Sequence, residues 1–342
     1  MLRKFHLLLL YFFGAATFAQ TANGIVWDEN NQPIAGALVY LDGTSLWTTT
    51  DETGHFELRI AHKINAALVI SYIGYATLTV KNPFQQNFLE IYLNPKQTQL
   101  EEITVVRKKE RFKRAEKLAV FREQFLGKTT AGKSCTILNE ADIVFSYDLK
   151  MRRLMVSCDV PLRIYNRFLG YEIEYNIQEC YIEFSRRTVQ PEAVNSWLFL
   201  GTAFYKDLTT MGKTYKPQRK MSYEGSMMQF FRNLSTQQLE ASGFRLLKHN
   251  WRCNPDDYFS VKRHSGNYFI SLASKNYSTD AAEFEQTFTL EFPGKSDSFV
   301  TFTTRTFVVD VFGNNSSYEK IIFSGAISEN RIGDLLPLDY KE

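Results

Sequence analysis

Residues 68–80 read LVISYIGYATLTV, two strand-like runs separated by Ser-Tyr-Ile-Gly-Tyr. A glycine within a strand usually marks a bulge or a close approach of another backbone. We therefore expect Gly74 to bend the strand while Tyr72 and Tyr75 cover its ends. The alternative interpretation is that the two tyrosines form an exposed aromatic pair that contacts a ligand.

The residues around this stretch repeat the same rhythm. Between Asn23 and Pro95, strand-like runs alternate with turn signals at intervals of about eight to twelve residues, which is typical of an antiparallel sandwich. In the run at 55–60 the apolar side chains occupy every second position, so one face is expected in a core and the other in water. These patterns predict a β-sandwich domain over residues 20–96.

The order of these residues resembles the carboxypeptidase-regulatory-like domain family. The resemblance implies a seven-stranded, transthyretin-like β-sandwich of a kind attached to exported bacterial proteins and often found ahead of TonB-dependent outer-membrane receptors. Trp47 departs from the pattern, because similar sequences have glycine there, and we consider its ring a candidate for surface or ligand contact. The matching positions are Gly24, Val26, Asp28, Pro33, Gly36, Ala37, Val39, Gly43, Thr44, Thr50, Asp51, Gly54, Phe56, Leu58 and 71–75.

The histidines decide whether the family's name implies peptidase activity. Zinc carboxypeptidases hold their metal with a His-x-x-Glu pair and a distant third ligand. No histidine here has glutamate three residues later; they are His6, His55, His62, His249 and His264. The chain also lacks the Gly-x-Ser-x-Gly elbow and the dinucleotide glycine fingerprint. We predict a non-enzymatic protein with no catalytic residues, no metal site and no cofactor.

The first 19 residues have the composition of a secretory signal peptide. Arg3 and Lys4 precede an apolar stretch that is too short to span a bilayer, and small residues lead to a cleavage position after Ala19. Without this leader the basic residues nearly balance the 37 acidic ones, which gives no indication of nucleic-acid binding. The chain is predicted to be exported, to the periplasm or in association with the outer membrane.

Residues 97–129 are predicted to link the sandwich to the rest of the chain. The run LEEITVV at 100–106 resembles the segment that follows this domain in TonB-dependent receptors. What remains is too short for a plug and a barrel of about 22 strands, so we reject a receptor. The stretch 107–125 is basic, with apolar residues at helical spacing, and predicts an amphipathic helix. It either contacts an anionic membrane surface or docks on the protein with its charged face in water.

Residues 130–342 are predicted to form a larger β-rich α+β domain. Trp197 lies in an aromatic-rich stretch with Phe204 and Tyr205 that is either a ligand-binding platform or part of a core. The basic run 213–220 is interpreted as a solvated turn around Pro217. Strands are predicted at 141–147, 154–158, 162–165, 171–177, 244–247, 268–273, 284–290, 299–309 and 320–323, and helices at 222–233 and 235–241.

The four cysteines all lie in the larger predicted domain. In an oxidising compartment they would form one or two disulfides, whereas buried free thiols are the alternative. The sequence does not decide between these two interpretations or among the pairings. The residues are Cys135, Cys158, Cys180 and Cys253.

The leading functional hypothesis is a non-enzymatic, exported cell-envelope protein. It would act as a binding or accessory module for a protein or another envelope component. A carbohydrate-binding protein linked to polysaccharide uptake is the second hypothesis, and an uncharted hydrolase the third. The second half resembles an uncharacterised extension found behind the same regulatory-like domain, on residues that include 114–116, 125–127, 170–171 and 335–340; this resemblance implies an architecture and no activity.

Overall fold

The structure is a computed structural model that describes residues 20–61, 64–96, 111–209, 214–272 and 284–342. The predicted signal peptide and the predicted linker run 97–110 lie outside these residues. Within the described part of the chain, every helix is too short or too polar to cross a bilayer.

The N-terminal domain is the expected β-sandwich, and the chain is mainly β as predicted. Its two sheets have the strand orders β4-β1-β7 and β3-β2-β5-β6 and enclose a core that includes Val26, Phe56 and Leu68. One pair departs from the antiparallel expectation: β1 and β7 run parallel, since the chain reaches β7 from the opposite sheet. The strands are β1 (Gln20–Trp27), β2 (Leu38–Leu41), β3 (Trp47–Thr49), β4 (His55–Ile60), β5 (Leu68–Ser71), β6 (Leu78–Val80) and β7 (Leu89–Tyr92).

We had expected Gly74 to bend a strand. Instead it lies in a turn between two strands. Strand β5 ends at Ser71, and the Tyr75 N–H donates to the Tyr72 carbonyl at 3.1 Å. Gly74 is the third residue of this turn and has a φ of 85°, a conformation that favours glycine. The Tyr72 and Tyr75 rings lie 5.8 Å apart and pack against the sandwich core. Turn geometry and core packing therefore explain the glycine between the tyrosines.

Replacing Gly74 with alanine should destabilise the protein by about 1 kcal/mol, because a Cβ is strained at positive φ. Outside Gly74 and its two chain neighbours, no heavy atom lies within 4 Å of the position that this Cβ would take, so the loss reports backbone strain. The neighbouring change Ile73→Ala, at a side chain that is 86% exposed, should cost less than about 0.5 kcal/mol. Urea denaturation of both variants checks this, and equal stabilities would contradict it.

A six-stranded sheet forms the first part of the larger domain. Its centre is the 14-residue strand β12, which pairs with β11 and β10 along one edge and with β13 along the other. The elements are helix α1 (Arg114–Leu126), helix α2 (Thr130–Lys133) and strands β8 (Cys135–Ile137), β9 (Val144–Asp148), β10 (Arg153–Ser157), β11 (Leu162–Asn166), β12 (Tyr171–Phe184) and β13 (Val194–Asp207).

Helix α1 belongs to the core of this sheet and not to the linker in which we had placed it. The buried Phe121 and Phe125 rings stack at 4.9 Å and pack in one cluster with the sheet's apolar side chains. The Arg114 guanidinium donates to the carbonyls of Glu140 and Ile143, which fixes the start of the helix. The structure thus shows the docked arrangement for α1. Membrane contact through 107–125 stays a prediction, and residues 107–110 lie outside the described ranges.

The rest of the larger domain has a second core, between two further sheets and helix α4. The sheets have the orders β15-β14-β18-β19-β21 and β16-β17-β20. The predicted helix 222–233 is interrupted at Gly225, where φ is 68°, and residues 236–241 form turns where a helix was predicted. The elements are α3 (Lys216–Tyr223), α4 (Met227–Ser235), β14 (Arg245–Lys248), β15 (Trp251–Arg252), β16 (Phe259–His264), β17 (Asn267–Leu272), β18 (Gln286–Glu291), β19 (Ser298–Phe302), β20 (Thr306–Asp310) and β21 (Ile321–Gly325).

The sandwich is joined to the six-stranded sheet by backbone pairing. The Gly43 N–H donates to the Ala203 carbonyl at 2.7 Å, and the Tyr205 N–H donates to the Thr44 carbonyl at 3.0 Å. A parallel bridge forms between Thr44 and Phe204. The turn after β2 therefore extends the outer edge of β13 at its C-terminal half.

The Tyr40 hydroxyl is the buried polar contact of this junction. It lies 3.1 Å from the Thr202 hydroxyl and accepts from the Asn176 side-chain amide at 3.0 Å. Burial raises the pKa of Tyr40 to about 12, so the hydroxyl stays protonated at neutral pH.

Replacing Tyr40 with phenylalanine should therefore destabilise the protein by about 1–2 kcal/mol, because the Asn176 amide loses its acceptor in a site that water reaches poorly. Tyr92→Phe, at a strand residue that is 49% exposed, should cost less than about 0.5 kcal/mol. Denaturant midpoints compare the two variants. A Tyr40 variant as stable as its control would show that the junction does not depend on this hydroxyl.

Residues 331–342 return across all three parts of the molecule, and we call them the C-terminal segment. Ile332 and Leu336 pack in the core of the six-stranded sheet, whereas Leu338 packs against the sandwich core. The Leu338 N–H donates to the Gly43 carbonyl at 2.7 Å, and Asp339 accepts from the Ser45 N–H at 2.7 Å. The segment therefore ties the sandwich to the larger domain.

Candidate binding groove

The outer edge of β13 is open over its N-terminal half. β12 pairs with β13 along one side, and on the other side the bridge to Thr44 lies at Phe204. Among the described residues, no strand pairs with that outer edge from Val194 to Leu200. Soluble proteins usually protect such edges with charged residues, prolines or bulges. The sequence VNSWLFL contains no charged residue or proline, and its one irregularity, at Asn195, lies at the start of the strand, so the edge from Ser196 to Leu200 is unprotected.

A second edge strand stands on the other side of this region. β21 pairs with β19 on one side and ends the five-stranded sheet in the described chain. Its residues Ile321 and Phe323 line the same groove as Trp197 and Phe199 of β13. Two sheet edges from different cores therefore form the two walls.

The groove has a volume of about 450 Å³ and is mainly apolar. Trp197 is 42% exposed, so the wall of β13 is open to a partner. The Tyr175 hydroxyl donates to the Phe199 carbonyl at 3.0 Å. The lining residues are Phe125, Tyr175, Trp197, Leu198, Phe199, Met227, Ile321, Phe323, Ser328, Asn330, Arg331, Ile332 and Leu335.

Arg331 is the one charged side chain among these lining residues. Its guanidinium lies 4.1 Å from the centre of the Trp197 ring, and its Nη1 donates to the carbonyls of Ser328 and Asn330. Burial lowers the pKa of Arg331, while Asp334 and Glu329 act in the opposite direction. The Asp334 carboxylate accepts from the Thr129 hydroxyl and from the Arg331 backbone N–H. No ion pair to Arg331 is present among the described residues.

This lining fits binding better than bond-breaking chemistry. It holds no carboxylate, histidine or cysteine, and its hydroxyls, on Tyr175 and Ser328, both donate to backbone carbonyls. The described residues also contain no group of three or more His, Cys, Asp or Glu side chains placed to hold a metal ion. The absence of catalytic residues and of a cofactor stays a prediction.

The structure places the four predicted contact residues in three different settings. Trp197 lines the groove. Trp47 is 47% exposed and packs edge-on against Phe204 at 5.8 Å, beside the domain junction. Tyr72 and Tyr75 belong to the turn after β5. Trp47, Tyr72 and Tyr75 therefore lie outside the groove lining, and their role as ligand contacts remains a prediction.

The cysteines are free thiols in the structure, and Cys180 is the one of them that is fully buried. Cys180 is buried in the core of the six-stranded sheet, and burial raises its pKa to about 12. Burial likewise raises the pKa of Cys135 to about 12 and raises the pKa values of Cys158 and Cys253. Raised pKa values keep thiols protonated and poorly reactive.

A second cleft, of about 600 Å³, lies beside α3 and the C-terminal segment. Its central cation, Arg219, is buried and makes a forked pair with Asp207, with Nη1–Oδ2 at 2.9 Å and Nη2–Oδ1 at 2.8 Å. It also donates to the carbonyls of Leu169 and Gly170 and lies 3.9 Å from the Tyr171 ring centre. The interpretation of 213–220 as a solvated turn was wrong: residues from Lys216 form a helix that anchors this pair. Arg219 is occupied, so we assign it a structural role.

Sequence reasoning missed Arg331 and the strand that carries Trp197. The run from Val194 to Tyr205 is rich in aromatic residues, and this composition could have predicted a strand. Nothing comparable marks Arg331, because its place in the groove depends on how the C-terminal segment crosses between the two cores.

The fold and the comparisons define one part of the chain as a known kind of domain. The family model described as CarboxypepD_reg-like domain matches residues 22–105, so the N-terminal domain is the one that the sequence resemblance indicated. The TonB-dependent receptor SusC of Bacteroides thetaiotaomicron is 36% identical over 80 residues, which are 23% of this chain and 8% of the receptor. The chain thus spans a small fraction of that receptor's length. The match supports a cell-envelope context for this chain and nothing finer.

Solved structures resemble parts of the chain weakly. A cohesin–X-dockerin complex from Acetivibrio cellulolyticus aligns over 21% of this chain and 51% of its own, with 24% identity and a TM-score of 0.19. The 3-chlorocatechol 1,2-dioxygenase of Rhodococcus opacus aligns over 22% and 59%, with 15% identity and a TM-score of 0.18. A protein of unknown function from Bacteroides fragilis aligns over 87% and 98%, with 10% identity and a TM-score of 0.19. These scores carry no argument about function.

Proposed function

We propose that the protein is a non-catalytic, exported binding protein of the bacterial cell envelope that holds a protein partner in the groove between β13 and β21. The observation that carries this proposal is the open, uncharged edge of β13 beside an apolar groove. Exposed apolar surface of this kind marks interaction sites in soluble proteins. The CarboxypepD_reg-like domain and the similarity to SusC favour an envelope setting for the partner.

A protein partner fits the groove better than a glycan. Sugar rings stack on a free aromatic face and need a ring of hydrogen-bonding side chains around it. The Arg331 guanidinium covers one face of the Trp197 ring, and most of the lining is apolar. Buried aromatic anchors in a dry pocket are instead typical of protein interfaces.

Site-specific photocrosslinking in the bacterium that produces the protein tests this proposal. A benzophenone side chain at position 200 lies at the open edge, and the matched control is the same side chain at position 318, where Tyr318 is 74% exposed. One envelope protein should be captured from position 200 and not from position 318. Capture of the same set of proteins from both positions, or retention of the protein on polysaccharide in a manner that depends on Trp197, would overturn it.

A further inference from the structure

We infer that the groove takes an extended, mainly apolar peptide segment that adds as a strand to the outer edge of β13 and sets one carboxylate against Arg331. This inference rests on the proposed function and specifies which part of the partner is recognised. Its three supports are the hydrogen-bonding groups of the edge, the apolar lining and the unpaired guanidinium.

The backbone of β13 presents hydrogen-bonding groups on its open side. The amide and carbonyl groups of Ala203 and the amide of Tyr205 point away from β12, since they bond to Asp42, Gly43 and Thr44 of the sandwich. Backbone groups alternate sides along a strand, so Gly201, Phe199 and Trp197 face the same way. The register shift between Ile177 and Glu179 adds its extra residue to β12, whereas the shift between Glu183 and Phe184 leaves Asn195 of β13 unpaired, so the alternation in β13 holds from Ser196 onward. An added strand would find backbone donors and acceptors over this half, although the Phe199 carbonyl already accepts from the Tyr175 hydroxyl.

The other half of the same edge already pairs with the turn after β2 of the sandwich. Residues 43–44 of the sandwich bond along β13 at 203–205, with distances of 2.7 and 3.0 Å. A peptide at 196–201 would continue that pairing in line with the sandwich contact. Adding a strand to an open sheet edge is a common way to bind peptides: the main chain supplies affinity, and alternate side chains supply selectivity.

The groove sets the character of the side chains that point into it. Successive side chains of a strand point to opposite faces, so every second residue of the peptide would enter the groove. There they would meet Trp197, Phe199, Ile321, Phe323 and Leu335. Apolar residues at alternate positions are therefore expected.

Arg331 supplies the charge complementarity. Its Nη1 bonds two carbonyls, whereas its Nε and Nη2 make no hydrogen bond in the described structure. Asp334 and Glu329 act on this cation without forming an ion pair with it, so a carboxylate that bonds it directly would recover part of the free-energy cost of half-burying it. A guanidinium edge also matches a carboxylate in a two-bond geometry. We therefore place one aspartate or glutamate of the peptide at this position.

A second copy of this chain is the less suitable occupant. Two β13 edges could pair with each other, but the stretch Val194–Leu200 contains no acidic residue. Such a dimer would leave Arg331 without a carboxylate from the paired strand. The charge therefore favours a different protein as the source of the strand.

Selection of displayed eight-residue peptides on the purified protein provides the probe, followed by two measurements of affinity. First, one backbone N-methyl group is placed at each position of the best peptide in turn. Methylation at every second residue should weaken binding about 10-fold or more, because only alternate amides face β13. Methylation at the intervening residues should change the affinity by less than about 3-fold. This measurement leaves the protein unchanged and so does not depend on the folding of a variant.

Second, the peptide's acidic residue is replaced by its amide. The change should weaken binding about 10-fold to the unaltered protein and less than about 3-fold to Arg331→Met. Arg305→Met is the matched control, since Arg305 also covers an aromatic ring, that of Phe284 at 4.9 Å, outside the groove. This variant should keep the full preference for the acid.

Each remaining outcome overturns the inference. Uniform tolerance of N-methylation would exclude strand addition. If replacing the acid by its amide weakened binding equally to Arg331→Met and to Arg305→Met, the carboxylate contact would be excluded. Failure to select any peptide, together with photocrosslinking from position 200, would overturn this inference and leave the proposed function standing. Dimers that disappear on Leu200→Lys would assign the edge to a second copy.

Discussion

Replacing Arg219 with methionine is expected to reduce the free energy of unfolding by about 2–3 kcal/mol. The change leaves the Asp207 carboxylate without its forked partner and the carbonyls of Leu169 and Gly170 without a donor. Breaking a fully buried pair costs about 3–5 kcal/mol. The Asp207 side chain is 44% exposed, so water recovers part of that loss. Urea denaturation at pH 7 measures it.

The pH dependence of stability tests the same pair. The hydrogen bond from Arg219 lowers the pKa of Asp207 from 3.8 to about 2. A carboxylate whose pKa is lower in the folded state adds stability that is complete above the unfolded pKa and is lost as pH falls towards the folded pKa. The unaltered protein should therefore lose this contribution between about pH 4 and pH 2, and the difference from Arg219→Met should shrink over that range.

Arg186→Met is the control for this prediction. Its pair with Glu192 is exposed on both sides, at 66% and 64%, and such pairs contribute less than about 1 kcal/mol. If Arg219→Met were no more damaging than Arg186→Met, the assignment of Arg219 as a structural anchor would be wrong and the second cleft would need a different explanation.

The second large effect is expected on replacing Arg232 with methionine, which should reduce the free energy of unfolding by about 3 kcal/mol. Its Nε donates to the Phe312 carbonyl at 2.9 Å, Nη1 to that of Tyr340 at 3.0 Å and Nη2 to that of Leu338 at 2.8 Å. Hydrogen bonds to a charged group contribute about 1.5–3 kcal/mol each and are not additive. The loss should be accompanied by faster amide hydrogen exchange at Leu338 and Tyr340, since Arg232 holds the C-terminal segment on α4.

Arg245→Met is the matched control, because Arg245 meets Glu291 at 3.9 Å with most of its side chain in water. It should change stability by less than about 0.5 kcal/mol and leave exchange at Leu338 unaltered. An Arg232 variant with normal exchange in residues 337–341 would show that the segment is held by its apolar contacts alone.

The sequence was most informative where local rules agree with one another. The seven strands of the sandwich follow from period-two patterns bounded by turns, and the order of family residues points to the same fold. The exact form of the Gly74 turn was less accessible, since a positive φ and a bulge favour the same residue. The assumption of a purely antiparallel sheet failed at β1 and β7, because the pairing of distant strands is not encoded locally.

The larger domain was harder to predict because its decisive contacts join distant residues. The basic stretch near 114 contains a helix, as expected, but its attachment to the six-stranded sheet depends on Phe121 and Phe125 meeting side chains from strands far along the chain. Arg219 sits among lysines that suggest a solvated turn, and its burial follows from Asp207 and Tyr171. The groove could be anticipated only in part, through Trp197, since its other wall comes from β21 and the C-terminal segment.

The most direct test of the proposed binding role is the affinity of the photocrosslinked envelope protein for two tryptophan variants. Trp197→Ala removes the central aromatic side chain of the groove. Trp251→Ala is the control, because Trp251 is 79% exposed on a different strand pair, β14 and β15. Trp197→Ala should weaken binding about 30-fold, the size of effect that a central aromatic anchor produces, and Trp251→Ala should leave affinity within about 2-fold. Equal affinities for both variants would contradict the groove as the binding site.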